Sequence, residues 1–549
     1  MSIAYIRSQS LKLFSTGLDL NGARPAAGEE AGDALPPARE GRAGRDTSRM
    51  SGRAWLILSL SVIIVAAVFR LFDPALKPLH HDEGVNGLFL MRLFRGGVYR
   101  YDPANYHGPT LYYFGLAPAL FLGLNTLAIR AVTAAFGVAT VWLLLCLRRY
   151  VGPAGALAAS ALVAVSPGAV YFSRYFIHET LFVFFTLGLV VALLRFHDDG
   201  RPIYLMLASI SAALLFATKE TAIISVAVLV MALACARAYF RIRRAAEPDG
   251  RDMDERAEKA ERFGGRRRFS ALLLIALGLF ALVFVLFYSS FLTHPKGVTD
   301  ALKTFEFWAR TGTRNHVREW HTYVFWLVDE ESPLLALGLL GSALAVWRAP
   351  NIFNARFALF AALWAFGLLA AYSLIPYKTP WLALNFIVPM AVACGYALGV
   401  IYERNRLAAA MIFCAAISIC VYQTISLNFF HYDDDRYVYA YAHTDREFLS
   451  MVDEIERTAQ AAGTGLDTRI AVISPDYWPL PWYLRNYRAV GYYGASRETS
   501  EAVVIASDAQ ELELPEALGN GYQLVGSYRL RPGVTLLLYA RNDLIEQSL

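Results

Sequence analysis

Apolar residues along the chain fall into runs of roughly 15–22 residues, the length an α-helix needs to cross a hydrocarbon core about 30 Å thick. The runs are 54–72, 130–147, 153–172, 180–196, 203–217, 221–239, 270–291, 333–347, 355–374, 381–401 and 407–427. They predict about eleven transmembrane helices. Another apolar stretch, 110–124, is short, contains Tyr112 and Tyr113, and has Pro109 and Pro118 nearby. That composition suits a segment lying along the membrane surface. Past residue 428 the pattern changes. Phe448, Leu449, Val452, Ile455 and Ala459 recur at helical spacing behind Thr444-x-x-Glu447, which reads as a capping box, and Gly463 can end that helix. Short β-rich runs follow at 470–474, 503–506, 523–528 and 534–539. Residues 428–549 therefore read as a small soluble α/β domain.

The placement of charge orients these spans. With 110–124 kept out of the membrane, Arg148/Arg149, Arg195/Arg201, the stretch 241–268, Arg348/Arg356 and Arg404/Arg406 all fall on one side. Basic loops favour the cytoplasm. The N-terminus is then cytoplasmic, and residues 73–130 form a long first outer loop. The segments 173–179, 218–220, 293–332 and 373–380 are outer too, with the C-terminal domain, and the expected location is the inner (plasma) membrane. The transmembrane domain is 54–427. Residues 1–53, rich in Gly, Ala, Arg and Pro, read as a disordered tail without the apolar core of a cleaved signal.

Composition adds little. The chain of 549 residues is 56% hydrophobic, above the 45–50% usual for soluble domains. The five cysteines all lie in apolar runs without a CxxC pair, so no disulfide framework is expected outside. The basic stretch 241–268 lacks the interleaved aromatics of a nucleic-acid surface and suits anionic lipid instead.

Four polar clusters interrupt the apolar pattern at the outer ends of spans. They are His80-His81-Asp82-Glu83, Ser173 to Glu179 with Arg174 and His178, Thr218-Lys219-Glu220, and Tyr377-Lys378-Thr379-Pro380-Trp381. His107 joins them from the first loop. Charges near lipid are costly unless they face water, a cavity or a partner. The plain alternatives are a solvated turn at Asp82, an interfacial belt at Arg174 and Trp381, and a self-neutralising pair at Lys219-Glu220. The functional alternative is a site for a lipid-linked phosphate. Its tail would lie between helices, cations would face the phosphate, and a carboxylate would deprotonate an incoming hydroxyl. His81, Asp82, Glu83, His107, His178 and Glu179 are also ligand types for a divalent metal, without a diagnostic spacing. His294, His316 and His321 lie in the outer loop 293–332, which could cover the site. The run from Asp476 to Tyr483, with Trp478 and Trp482, suits either domain docking or stacking on a sugar.

A first span ending in an Asp-Glu pair, a long first outer loop and a second acidic outer loop resemble the GT-C glycosyltransferases. The layout is similar to that of the protein O-mannosyltransferase and aminoarabinose-transferase relatives. The stretch 81–196, with the segments at 377–381 and 476–479, looks like the flippase-activity-associated membrane proteins of surface glycosylation. The resemblance implies a sugar moved from a polyprenyl-phosphate donor to a glycan, lipid or protein acceptor, with inversion at the anomeric carbon. The sugar would be a hexose or a pentose. By that resemblance Asp82 is the candidate general base with Glu83 its partner, and Glu179 stands where relatives carry a second acid. Arg174, Lys219 or Lys378 would hold the phosphate, with His81, His107, His178 and Glu220 completing the substrate site. A non-catalytic partner in the translocation of lipid-linked sugars is the alternative. A transporter would need charges deep within spans or broken helices at midplane. A soluble nucleotide-sugar enzyme would need a glycine-rich phosphate loop, which the chain lacks.

Overall fold

The computed structural model describes residues 50–105, 107–245, 265–311, 316–348 and 353–545. The expected N-terminal tail lies outside these residues except for its last four, and so does most of the basic stretch 241–268. The helices are α1 Gly52–Leu71, α2 His81–Gly96, α3 Thr110–Leu122, α4 Thr126–Leu145, α5 Pro153–Ala164, α6 Pro167–Ser173, α7 His178–Asp199 and α8 Pro202–Phe216. They continue as α9 Ala222–Ala245, α10 Gly265–Tyr288, α11 Lys296–Thr311, α12 Thr322–Glu330, α13 Ser332–Arg348, α14 Phe353–Leu374, α15 Leu384–Arg404 and α16 Arg406–Ile425. This is a multi-pass membrane protein. Among the described residues 8 helices are long and apolar enough to span, or 9 if the bent pair α5–α6 is one span. The spans expected at 203–217 and 333–347 are α8 and α13, of 15 and 17 residues.

The bundle is built around α15. Of its span Pro380–Arg404, 89% is buried, against 6% for Arg267–Tyr288 on the lipid-facing outside. Small residues let neighbours approach it closely. A Cβ on Gly395 would meet the Gly155 carbonyl oxygen of α5 at 2.2 Å, and one on Gly341 of α13 would meet the Ala393 carbonyl oxygen at 2.0 Å. The break between α5 and α6, bent by 57°, has a local cause. Pro167 cannot continue a helix, and Ser166 caps the new one by accepting from Ala169 N–H. Carbonyls freed at the break are taken up by buried Arg70 of α1, which donates to Val163 O at 3.0 Å and Ala164 O at 2.9 Å.

The C-terminal part is a sheet backed by α17, Glu447–Ala461. Its strands are β1 Arg469–Val472, β2 Ala489–Tyr492, β3 Val503–Ser507, β4 Tyr522–Arg531 and β5 Val534–Arg541, in the order β2-β1-β3-β5-β4. The first three are parallel and β4–β5 is an antiparallel hairpin. Alternation divides β3 between two apolar layers. Val503 and Ile505 face Phe448, Met451 and Ile455 of α17, while Val504 and Ala506 face Leu514 and Leu518. The capping box read at Thr444 is not formed. The Thr444 hydroxyl donates to Leu79 O at 2.7 Å, and α17 is started by Asp445, whose carboxylate accepts from Glu447 N–H at 2.9 Å. Strand β2 and the two helices within 293–332, α11 and α12, are additions to the sequence reading.

The sheet domain sits on α2. Trp482 is buried against it, and Gly84 and Gly87 leave a smooth face for the contact. A Cβ on Gly84 would lie 2.7 Å from Pro479, and one on Gly87 would lie 2.6 Å from the Trp482 ring. The Tyr483 hydroxyl accepts from Leu79 N–H at 2.9 Å. The run 476–483 is therefore the docking segment.

Candidate functional site

Helix α2 begins with its own capping box. His80 Nδ1 accepts from Asp82 N–H at 3.1 Å, and Glu83 Oε2 accepts from His80 N–H at 3.0 Å. This turn sends the adjacent acids in opposite directions. Glu83 is fully buried. Its carboxylate accepts from Arg130 Nε at 2.8 Å, from Arg130 NH2 at 2.6 Å and from Phe176 N–H at 2.8 Å. Burial alone would raise the Glu83 carboxyl, but Arg130, Lys77 and the His80 N–H outweigh it and hold it below its ordinary range. Arg130 spends its other donors on Pro74 O, Lys77 O and Pro78 O. The pair thus staples the loop 74–78 to α4.

Asp82 faces a cavity, with its side chain 40% exposed. His80 Nδ1 lies 3.9 Å from Asp82 Oδ2, but that nitrogen is occupied as an acceptor for Asp82 N–H, so the contact is not an ion pair. The cavity has a volume of about 450 Å³. His80, His81 and Asp82 of the first cluster line it, with Asn86 of α2, Asn105 and His107 of the first loop, His178 and Glu179 of α7, and Tyr377 and Trp381. The structure therefore brings three of the four sequence clusters together with His107. His316, Tyr441 and Arg531 also line the cavity. His316 comes from the loop 293–332, and Tyr441 and Arg531 from the C-terminal part, where no local motif marks them.

The remaining acids near the cavity are occupied. Glu179 pairs with buried Lys219. Burial would lower the Lys219 ammonium, but Glu179 and Glu220 hold it well above its ordinary value. Glu220 Oε2 lies 3.1 Å from His107 Nδ1. That contact depends on a backbone seam, in which Gly108 N–H donates to Thr218 O at 3.1 Å and Thr110 N–H to Ala217 O at 3.2 Å. Only glycine fits at 108, where a Cβ would meet the Ala217 oxygen at 2.0 Å. His178 Nε2 reaches Gly108 O at 3.2 Å, and its ring lies 4.8 Å from that of His107.

None of the three cations read from the sequence as phosphate holders lines the cavity: Lys219 is paired with Glu179, and the other two close helix ends. Arg174 donates to Phe69 O, Phe72 O and Asp73 O, closing the end of α1. Lys378 donates to Tyr372 O, Ser373 O and Ile375 O, closing the end of α14. Orphan carbonyls at a helix end need such donors. The histidines at the mouth carry little charge at neutral pH. Burial lowers His81 to about 4 and also lowers His80 and His316. Among the described residues no three His, Cys, Asp or Glu side chains converge as metal ligands.

Residues 107–245 match the family described as dolichyl-phosphate-mannose-protein mannosyltransferase. No curated protein matches the chain. Among solved structures, ArnT from Cupriavidus metallidurans bound to undecaprenyl phosphate superposes with a TM-score of 0.57 at 15% identity, covering 89% of this chain and 98% of that one. Its apo state gives 0.57 at 12% identity, with 88% and 98% covered. The oligosaccharyltransferase of Archaeoglobus fulgidus, tethered to an acceptor peptide, gives 0.54 at 13% identity, with 90% of this chain and 77% of that one covered. The chain has the fold of the GT-C membrane glycosyltransferases.

Proposed function

We propose that the protein is a membrane glycosyltransferase that moves a sugar from a polyprenyl-phosphate donor to an acceptor hydroxyl, on the extracytoplasmic face of the plasma membrane. One observation carries the reading. Of the two acids that line the cavity among the described residues, Glu179 is paired with Lys219, while Asp82 has its carboxylate open to the cavity; Glu83 and Glu220, outside the lining, face Arg130 and His107. Asp82 is then the general base. It takes the acceptor's proton as the acceptor oxygen attacks the anomeric carbon. The bond from that carbon to the phosphate oxygen breaks, and the lipid phosphate leaves with the electron pair. Attack opposite the leaving group inverts the anomeric configuration.

The other site residues take supporting roles. Glu83 positions Asp82 by fixing the first turn of α2. Glu179, held by Lys219, shapes the wall with His178 and His107, and Glu220 backs His107. His81, neutral at pH 7, offers a hydrogen bond to the sugar. The undecaprenyl phosphate bound by ArnT and the acceptor peptide on the archaeal enzyme support a lipid-linked donor and a separate acceptor on this fold.

The test is mass spectrometry of lipid extracts and envelope glycans from a deletion strain, complemented with wild type or Asp82→Asn at matched expression. Deletion is expected to remove one sugar and accumulate its polyprenyl-phosphate form. Wild type should reverse this, and Asp82→Asn should leave at least a hundredfold deficit, the scale of a lost general base. Full restoration by Asp82→Asn would reject the base and favour a non-catalytic partner in the handling of lipid-linked sugars.

A further inference from the structure

A phosphate leaving group needs a permanent cation, and five cations of the bundle near the cavity end are committed elsewhere. Arg130 is paired with Glu83, Lys219 with Glu179, and Arg174 and Lys378 with helix-end carbonyls. Lys77 is enclosed between the rings of Tyr171 and Tyr175, 3.8 and 3.7 Å from their centres. Burial and the neighbouring Arg130 push its ammonium well below its ordinary value. Among the described residues the cavity wall contains a single lysine or arginine, Arg531.

Arg531 is the last residue of β4 and is held in place from several directions. A two-residue turn, Pro532-Gly533, closes the hairpin, with Gly533 at φ 78° and Arg531 paired to Val534. Proline then glycine suits a type II turn. An irregularity in register between Arg529 and Arg531 redirects the strand end. Asp445 N–H donates to Leu530 O at 2.8 Å. The docking of Trp482 on Gly87 fixes the domain against the helix that carries Asp82.

The guanidinium is bonded to Asp476, in a pair whose acid is 49% exposed and whose base is 17% exposed. A half-solvated pair is weak, and a guanidinium meets a phosphate with two parallel hydrogen bonds. We infer that Arg531 of the C-terminal sheet holds the phosphate of the lipid-linked donor, exchanging Asp476 for it. The sheet domain is then part of the active site. This inference rests on the donor class proposed above.

The experiment is native mass spectrometry of the full-length protein in detergent, titrated with undecaprenyl phosphate or undecaprenol. Wild type is expected to prefer the phosphate form. Arg531→Gln should lose at least tenfold affinity for it, while its binding of undecaprenol and its melting temperature stay unchanged. Asp476→Asn, which removes the competing carboxylate, should bind undecaprenyl phosphate more tightly. Phosphatidylglycerol and inorganic phosphate serve as competitors and should not displace it at equal concentration. If wild type shows no preference for the phosphate form, the donor class itself fails. If wild type prefers it but Arg531→Gln binds equally well, or Asp476→Asn binds more weakly, the assignment of Arg531 fails and the donor class stands. Equal Arg531-dependent binding of phosphatidylglycerol or inorganic phosphate would make this a general anion site and overturn the inference.

Discussion

Asp82 and Glu83 are neighbours in sequence and opposites in environment. Both are acids in the first turn of α2, and the local capping box turns Glu83 back toward His80 N–H and leaves Asp82 outside it. What fixes the difference in charge is Arg130, 47 residues after Glu83, which claims the second and leaves the first. Glu83→Gln leaves Arg130 without its counter-charge in a buried place, and breaking one side of such a pair costs about 3–5 kcal/mol. A denaturant or thermal unfolding series in detergent should show a loss of that size for Glu83→Gln and less than about 1 kcal/mol for the half-exposed Asp82→Asn. Equal losses would mean that Glu83 has no special structural weight. The same contrast explains which site residues were legible in the sequence. A charge at a helix end is visible there, but its partner is not. Arg174 and Lys378 read as phosphate ligands because the carbonyls that occupy them, at 69–73 and 372–375, carry no side-chain signature. Arg531 was missed because a strand-end arginine in a soluble domain, far along the chain from Asp82, has no motif around it.

At the scale of elements, α2 links the membrane bundle to the sheet. Its apolar spacing is modest, but Gly84 and Gly87 lie three apart on one face and receive Pro479 and Trp482. Gly87→Ala puts a methyl group where the Trp482 ring stands. Overpacking of this kind costs about 1–3 kcal/mol, and here the strain falls on the contact between the domains. Limited proteolysis is expected to release the C-terminal part of Gly87→Ala faster than that of wild type. Trp482→Leu in the same chain should restore part of the resistance by opening space. If Gly87→Ala is as resistant as wild type, the docking does not depend on this face. Element identity was largely readable from pattern. The long apolar runs became helices, and four β-rich runs became strands. The misses have physical causes. Ala489–Tyr492 is half-buried throughout and short, so it lacks a clear alternation. Helix α11 is amphipathic within a loop, and its polar face hid it from a search for continuous apolar length. At Thr444 a hydroxyl with the right spacing was drawn away to Leu79 by a tertiary contact.

At the scale of the whole molecule, the cavity, the docking segment and the sheet domain share one end of the bundle, because the loop 74–80, the N-termini of α2 and α7, the turn 217–221 and the turn 377–381 all contribute there. Alternating passage of the spans puts Arg148/Arg149, Arg195/Arg201, Arg241/Arg243 and Arg404/Arg406 at the other end. Loop arginines resist translocation, whereas at the cavity end Arg130 and Arg174 are buried and bound into the protein. On the positive-inside tendency of these loops we propose the orientation with the sheet outside the cell. It can be read with single cysteines in a chain whose five native cysteines, Cys146, Cys235, Cys394, Cys414 and Cys420, are replaced by alanine. Glu498 lies on the exposed surface of the sheet domain and Glu403 at the far end of α15. A membrane-impermeant maleimide added to intact cells should label Glu498→Cys, and should label Glu403→Cys only after permeabilisation. The reverse pattern would place the cavity in the cytoplasm, where an acceptor in the envelope could not reach Asp82. The chemistry proposed for the carboxylate would then have to be reassigned to a cytoplasmic acceptor, even though the fold and the packing around it were unchanged.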